Sequence, residues 1–204
     1  MIMPSDIFPT KSNLLQAKRS LELAKVGFEL LDKKRNIMLR EMTSLLREVE
    51  GAQEKIDDAF AEAYASLQRA NFTIGQREIL NIANYSTLPD DISIRFRSVM
   101  GVEIPVVNCA QPKAALYYGF AFTNSDLDDA YIKFLEVKRL TAMLAAVENS
   151  VYRLAFAIKQ TQKRANALKN IVIPRLDRTV SSITGYLEEK EREAFTVLKV
   201  IKGK

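Results

Sequence analysis

The chain has 204 residues, with 30 Lys and Arg against 25 Asp and Glu, a formal charge of +5 and 48% hydrophobic residues. It has no His and one cysteine, Cys109. That removes the commonest general base and metal ligand, any internal disulfide and any multi-cysteine metal site. With only 7 Gly and 6 Pro, the chain has fewer turns than a compact domain of this size needs, which points to a few long elements.

Residues 1–11 read as an irregular lead-in broken by Pro4 and Pro9, with Ser12 or Asn13 placed to cap the first helix. No secretory signal is expected, because residues 1–20 lack a long apolar core. From Leu14 a seven-residue repeat begins. Its first core position carries Leu14, Leu21, Phe28, Arg35, Met42, Val49, Ile56, Ala63 and Ala70. Its second carries Ala17, Ala24, Leu31, Met38, Leu45, Ala52, Ala59 and Ser66. Only Arg35 and Ser66 are neither apolar nor Ala. A stripe sustained this long implies a left-handed supercoil with a partner helix. A long helix in an ordinary bundle is the plainer alternative, but a helix over residues 12–73 would run about 90 Å at about 1.5 Å per residue.

Helical signal stops near Gly75. Ile92, Ile94 and Phe96 then alternate with Ser93, Arg95 and Arg97, and after Met100-Gly101 a second alternation carries Val102, Ile104 and Val106. This predicts a β-hairpin over about 91–107, turning near Gly101. Pro105 cannot donate to a ladder, so the second strand is expected to be short or at an edge. A lone hairpin is marginal in water and must rest on the helices or on a partner. The apolar stretch Ala114–Phe122 either packs beneath it or docks a partner. Neither this stretch nor Leu140–Val147 approaches the roughly 20 residues needed to cross a bilayer.

Thr123–Asp126 is a capping cluster, and a second long helix is expected from it toward residue 200. Its stripe runs Val137, Leu140, Leu144, Val147, Val151, Leu154, Ile158, Thr161, Ala165, Leu168 and Val172, then continues through Leu176, Ile183 and Leu187 with a four-residue shift. Such a stutter locally unwinds a supercoil. Pro174 sits inside this helix, where it gives no N–H to the Asn170 carbonyl, and a kink is expected there. The expected fold is therefore mostly α: a long antiparallel two-helix left-handed coiled coil with a small β-hairpin insert at the end opposite the termini. It divides into an N-terminal lead-in and helix over 1–75, a connector with the hairpin over 76–125, and a C-terminal helix over 126–204.

Closing the helices together puts opposing residues at a summed number near 199, with residue 35 near 164 and Gly27 near Pro174. Residues past about 187 would overhang. Arg153, Lys159, Lys163, Arg164, Lys169, Arg175 and Arg178 then share a region with Lys18, Arg19, Lys25, Lys33, Lys34 and Arg35, while Asp177 is the one acid within 153–178. This collar is either a solvated face or a surface for an acidic, acceptor-rich partner. No glycine pair has P-loop spacing, and the Glu188–Glu193 charge run is helical rather than an acid pair in a cleft. The chain is expected not to be an enzyme and to need no cofactor or metal.

Three stretches carry a family resemblance: Pro9–Leu15 with Ala24-Lys25 and Leu30–Arg35, Met100–Pro105, and Arg164–Leu176 with its internal Pro174. They resemble the D subunit of V-type (archaeal-type) ATP synthases over nearly the whole chain. The resemblance implies a non-catalytic central-stalk rotor, cytoplasmic and peripheral to the membrane. Its partners would be the hexamer of catalytic A and nucleotide-binding B subunits, the F subunit, and the funnel-shaped subunit on the membrane rotor ring. No nucleic acid or direct membrane insertion is implied. Taken with the register, it marks Lys11, Arg19, Lys25, Arg35, Arg164, Lys169, Pro174, Arg175 and Arg178 as expected head contacts. Ile92, Ile94, Phe96, Met100, Val102, Ile104 and Pro105 are the expected contacts of the hairpin end. A coiled-coil adaptor or tether without rotary role, or a basic coiled coil that binds nucleic acid, are rival readings; neither accounts for the insert and the internal Pro together.

Overall fold

The computed structural model describes residues 8–85, 92–109, 118–119 and 123–203. The order is α1 (Lys11–Ile74), α2 (Gln76–Tyr85), β1 (Ile92–Val99), β2 (Val102–Cys109), α3 (Ser125–Ala167), a π-helical turn (Leu168–Val172) and α4 (Ile173–Lys202). The fold is mostly helical, with long helices and one two-stranded antiparallel hairpin. The apolar stretch Ala114–Phe122 lies almost entirely outside the described residues.

The chain forms two compact units. The first joins Met1–Ile37 with Ile158–Lys204. Here α1 is capped by Thr10, whose Oγ1 accepts the Asn13 N–H at 3.2 Å while its carbonyl accepts the Leu14 N–H. Ser12 and Asn13, the expected caps, lie inside the helix instead. Pro9 explains the shift, because it disfavours helical backbone at Phe8 and lets the helix begin just after Thr10. As residue numbers rise along α1 their partners fall. Lys11 meets Glu191, a Cβ on Gly27 would lie 3.9 Å from Leu168 Cδ1, Lys169 lies over the Phe28 ring, and Arg35 bonds Gln162. The pairing is antiparallel, close to the expected register. Ala24, Thr161, Ala165 and Ile183 are buried. Residues 188–203 are exposed throughout, Phe195, Leu198 and Ile201 among them.

The second unit is Met38–Ala157. Met38, Leu45, Ile56, Ala63, Ser66 and Ala70 of α1 are buried at the seven-residue spacing, with Val137 and Leu154 from α3. Apolar burial of this kind stabilises by about 1.5–3 kcal/mol for each large side chain. The pairing is again antiparallel, with Lys133 at Ser66 and Asp126 at Thr73. Gly75, at φ 97°, ends α1 and admits the short helix α2, which falls within the expected connector and has no separate signal in the sequence. At the start of α3 the Asn124 carbonyl accepts N–H bonds from Leu127 and Asp128.

The hairpin belongs to this second unit. Its turn residues Met100 and Gly101 have φ of 51° and 78°, the two left-handed positions of a type I′ turn, whose twist matches that of the strands. In the register, Val99 pairs with Val102 and Phe96 with Pro105. Counting outward from the turn, hydrogen-bonded and non-hydrogen-bonded pairs alternate. That places Pro105 at a non-bonded pair with its nitrogen facing away from β1. The second strand therefore keeps 8 residues despite Pro105, which meets the expectation by its edge position in a two-stranded sheet.

Candidate interaction surfaces

The register puts the hairpin's two apolar alternations on opposite faces. Ile92, Ile94 and Phe96 share one face with Cys109, Val107 and Pro105, while Val102, Ile104 and Val106 share the other with Val99, Arg97 and Arg95. The second face is the docked one. Ile104 is buried at 1% exposure, and Arg97 of the same face forms an ion pair with Glu41 of α1. From α3, Arg153 Nη1 donates to the Glu103 carbonyl at 3.1 Å, Ser150 Oγ, which donates chiefly to the Ala146 carbonyl at 2.7 Å, also lies 3.3 Å from the Pro105 carbonyl, and the Arg153 guanidinium lies over the Phe96 ring. The hairpin is inserted between the long helices, as the sequence indicates, but its body is folded back along them. It meets α1 at Glu41 and α3 at Ser150 and Arg153, well away from the Thr73–Asp126 contact. The open face exposes Ile94 and Phe96, and the turn exposes Met100. Ile92, Val102 and Pro105 are half-buried.

Ser150 and Ala146 are buried although neither belongs to the coiled-coil stripe. One helical turn apart, they give α3 a seat of small residues, from which Ser150 Oγ lies 3.3 Å from the Pro105 carbonyl of β2. A Ser and an Ala off the stripe look like ordinary surface residues, so the sequence carries no sign of this seat.

The basic residues fall into two groups. Lys11, Lys18 and Lys25 recur every seven residues and form one exposed row on α1; Arg19 and Lys33 are also exposed. Across from them Lys159, Lys163, Arg164, Lys169, Arg175 and Arg178 are exposed on α3, the π-helical turn and α4. Among the described residues, the ion pairs in this region are Lys11–Glu191 at 2.9 Å and Arg35–Asp32 at 2.7 Å. Arg164, Arg175, Arg178, Lys25 and Arg19 form none there. Arg35 differs from the others. It turns between the helices, where Nη1 donates to Gln162 Oε1 at 2.6 Å and Nη2 to Asn36 Oδ1 at 3.2 Å.

Pro174 is half-buried in the first turn of α4. The turn before it is π-helical, with the Ile173 N–H bonded to the Leu168 carbonyl five residues back. The wider turn moves the Asn170 carbonyl off the proline ring. It also adds one residue to the helix. The consecutive four-residue steps from Leu168 to Val172 to Leu176 thus coincide with one π-helical turn. Gly27 lies against Leu168 at the start of that turn, where an added Cβ would make ordinary contact at 3.9 Å, six residues short of the expected position opposite Pro174.

A shallow apolar groove lined by Leu14, Leu15, Thr184 and Leu187 lies beside Lys11 and Glu188. Among the described residues, no cluster of His, Cys, Asp or Glu is placed to hold a metal, and no helix is long and apolar enough to cross a membrane.

Long helices paired antiparallel, with open charged faces and a docked two-stranded hairpin, define the class: a mostly α-helical coiled-coil protein with a β-hairpin insert. Residues 13–203 match the family of the ATP synthase D subunit, and the chain belongs to that family. It is 41% identical over 200 residues to the V-type ATP synthase D subunit of Thermotoga neapolitana, an alignment covering 97% of this chain and 98% of the relative. It is also similar to the A-type ATP synthase D subunits of Methanosphaera stadtmanae (35% over 199 residues, 96% and 93% covered) and Pyrococcus horikoshii (36% over 200 residues, 97% and 94% covered). The chain is thus a subunit of a V/A-type ATP synthase.

Proposed function

We propose that this chain is the non-catalytic rotor axle of its ATP synthase, carrying torque between the nucleotide-handling A/B head and the ion-translocating membrane ring. Membership of the D-subunit family over nearly the full length is the observation that carries the reading. Within each unit the helices are paired side by side, and a paired helix resists twisting better than a single one. The exposed cations of residues 11–35 and 159–178 supply a polar surface that can be attracted to an acidic sleeve without interlocking with it. Long-range attraction of this kind is smooth on the scale of a side chain, so it can hold an axle and still let it turn.

In this reading Lys11, Arg19, Lys25, Arg164, Lys169, Arg175 and Arg178 face the head. Pro174 and its π-helical turn make one side of the helix pair unlike the other, so successive catalytic pockets meet different surfaces. The exposed hairpin face, with Ile94, Phe96 and Met100, serves the F subunit or the funnel-shaped seat on the ring. The chain works on the cytoplasmic side, peripheral to the membrane, as part of the complex.

Co-expression of A, B and F with and without this chain, followed by ATPase assay and ion pumping in reconstituted vesicles, tests the reading. Pumping coupled to hydrolysis should require this chain. Coupled pumping by a complex lacking it would end the reading.

A further inference from the structure

We propose that two polar layers, Arg35–Gln162 in one unit and Ser66–Lys133 in the other, fix the register in which the long helices pair. Both lie on the otherwise apolar stripe, at the two positions where α1 departs from its repeat. In the first layer Arg35 Nη1 donates to Gln162 Oε1 at 2.6 Å across the helix pair. Arg35 Nη2 is held by Asp32 at 2.7 Å and Asn36 at 3.2 Å on its own helix. Gln162 Nε2 in turn donates to Asn166 Oδ1 at 2.8 Å, which turns its carbonyl oxygen toward Arg35. In the second layer Ser66 is fully buried, and its Oγ accepts from Lys133 Nζ of α3 and from Arg69 of α1, each at 3.0 Å. The same hydroxyl donates to the Glu62 carbonyl at 3.1 Å.

The apolar layers cannot select a register by themselves. Ala, Leu and Val recur every seven residues on both helices, so a slide of one heptad exchanges one apolar contact for another. Neither layer survives that slide intact: the first loses its acceptor, and the second leaves either Lys133 facing Ala59 or Ser66 facing Leu140. Moving α3 by seven residues would bring Ala155 or Lys169 opposite Arg35, offering no acceptor or a like charge. Lys133 would face Ala59 or Thr73, and Ser66 would face Asp126 or Leu140. Removing one partner of a partly buried polar pair leaves the other unsatisfied, which is the expensive case, whereas replacing both partners with apolar groups can be nearly neutral. The layers therefore act mainly against the wrong pairings and add little to overall stability. The same logic governs a lone polar residue at a coiled-coil core position.

Disulfide trapping in the full chain tests this, in a C109S background. G27C with L168C reports the native register, because those positions already touch. S20C with L168C and K34C with L168C report slides of one heptad in either direction, since Ser20 and Lys34 lie seven residues from Gly27. With the layers intact only the first pair should bridge under mild oxidation. In R35M/Q162L the slipped bridges should rise by about tenfold or more, the ratio that a lost preference of ~1.4 kcal/mol gives, while helical content and thermal midpoint hold or increase. S66A/K133M tests the second layer in the same way, with probes placed near residue 133. The milder R35K, which keeps the charge and loses the fork, should fall between. Folded variants whose slipped bridges stay at background would overturn the proposal. So would a slipped bridge that forms equally with the layers intact. The readout is the chain's own pairing, so it stands or falls separately from the axle reading, which the coupling assay addresses.

Discussion

Leu154 of α3 is fully buried in the second unit, so Leu154→Ala should cost about 2–5 kcal/mol, lost transfer energy plus the cavity left behind. Urea unfolding should show a lower midpoint at an unchanged slope. Tyr118 gives a pH-dependent prediction. Its hydroxyl donates to Asp128 at 2.5 Å and its ring stacks edge-on against Tyr131. Burial first, and then the Asp128 carboxylate, hold its pKa far above the ordinary tyrosine value. Between about pH 10 and the folded value, the unfolded tyrosine loses its proton while the folded one keeps it. The folded state then binds more protons, so stability should fall as pH rises through that window. Tyr118→Phe should abolish that part of the alkaline loss and leave neutral stability less affected, which denaturation series at several alkaline pH values would show. At this scale legibility is uneven. Arg35 and Ser66 stand out because they break a repeat. Ser150, Glu41 and Gln162 do not, because nothing in a single helix face tells a surface polar residue from one that meets a distant segment.

Among the elements, the long helices and the hairpin are readable because each carries a long periodic signal of its own. The Met100-Gly101 turn is marked by the step between two alternations. The seat of the hairpin on α1 and α3 is not readable, since it depends on which strand face turns inward, and both faces are half apolar. Met100 occupies a left-handed turn position where Asn is favoured over other residues with a side chain, and its own side chain is exposed. Met100→Asn should stabilise the hairpin by up to about 1 kcal/mol, seen as slower amide exchange in β1 and β2. Pro174 yields a sharper test. The π-helical turn serves both the proline ring and the one-residue shift of the apolar stripe, and the stripe remains when the ring is removed. Pro174→Ala should therefore raise the thermal midpoint, by less than the ~3 kcal/mol that separates proline from Ala in a helix interior, because the π-helical turn already relieves the ring. It should also keep Lys11 opposite Glu191. A rotation of α4, read as loss of a crosslink between K11C and E191C made by a reagent spanning ~10 Å in the starting protein, would mean that the ring alone holds the π-helical turn.

For the whole molecule, the family match fixes which complex the chain serves. In the proposed axle reading, the direction of assembly rests on charge. Cations without ionic partners among the described residues are an attractive surface whose strength falls with salt, with a screening length of about 8 Å at physiological ionic strength. Reversing Arg164 and Arg175 together to Glu should weaken the association of this chain with the A/B head several-fold and flatten its salt dependence, measured by titrating the chain into purified head. The axle reading itself is tested most directly by rotation. With the head fixed to a surface and a bead coupled through a cysteine near residue 100, ATP should drive the bead in one direction in three equivalent steps per turn. A bead that stays still while the same complexes hydrolyse ATP at full rate would contradict it.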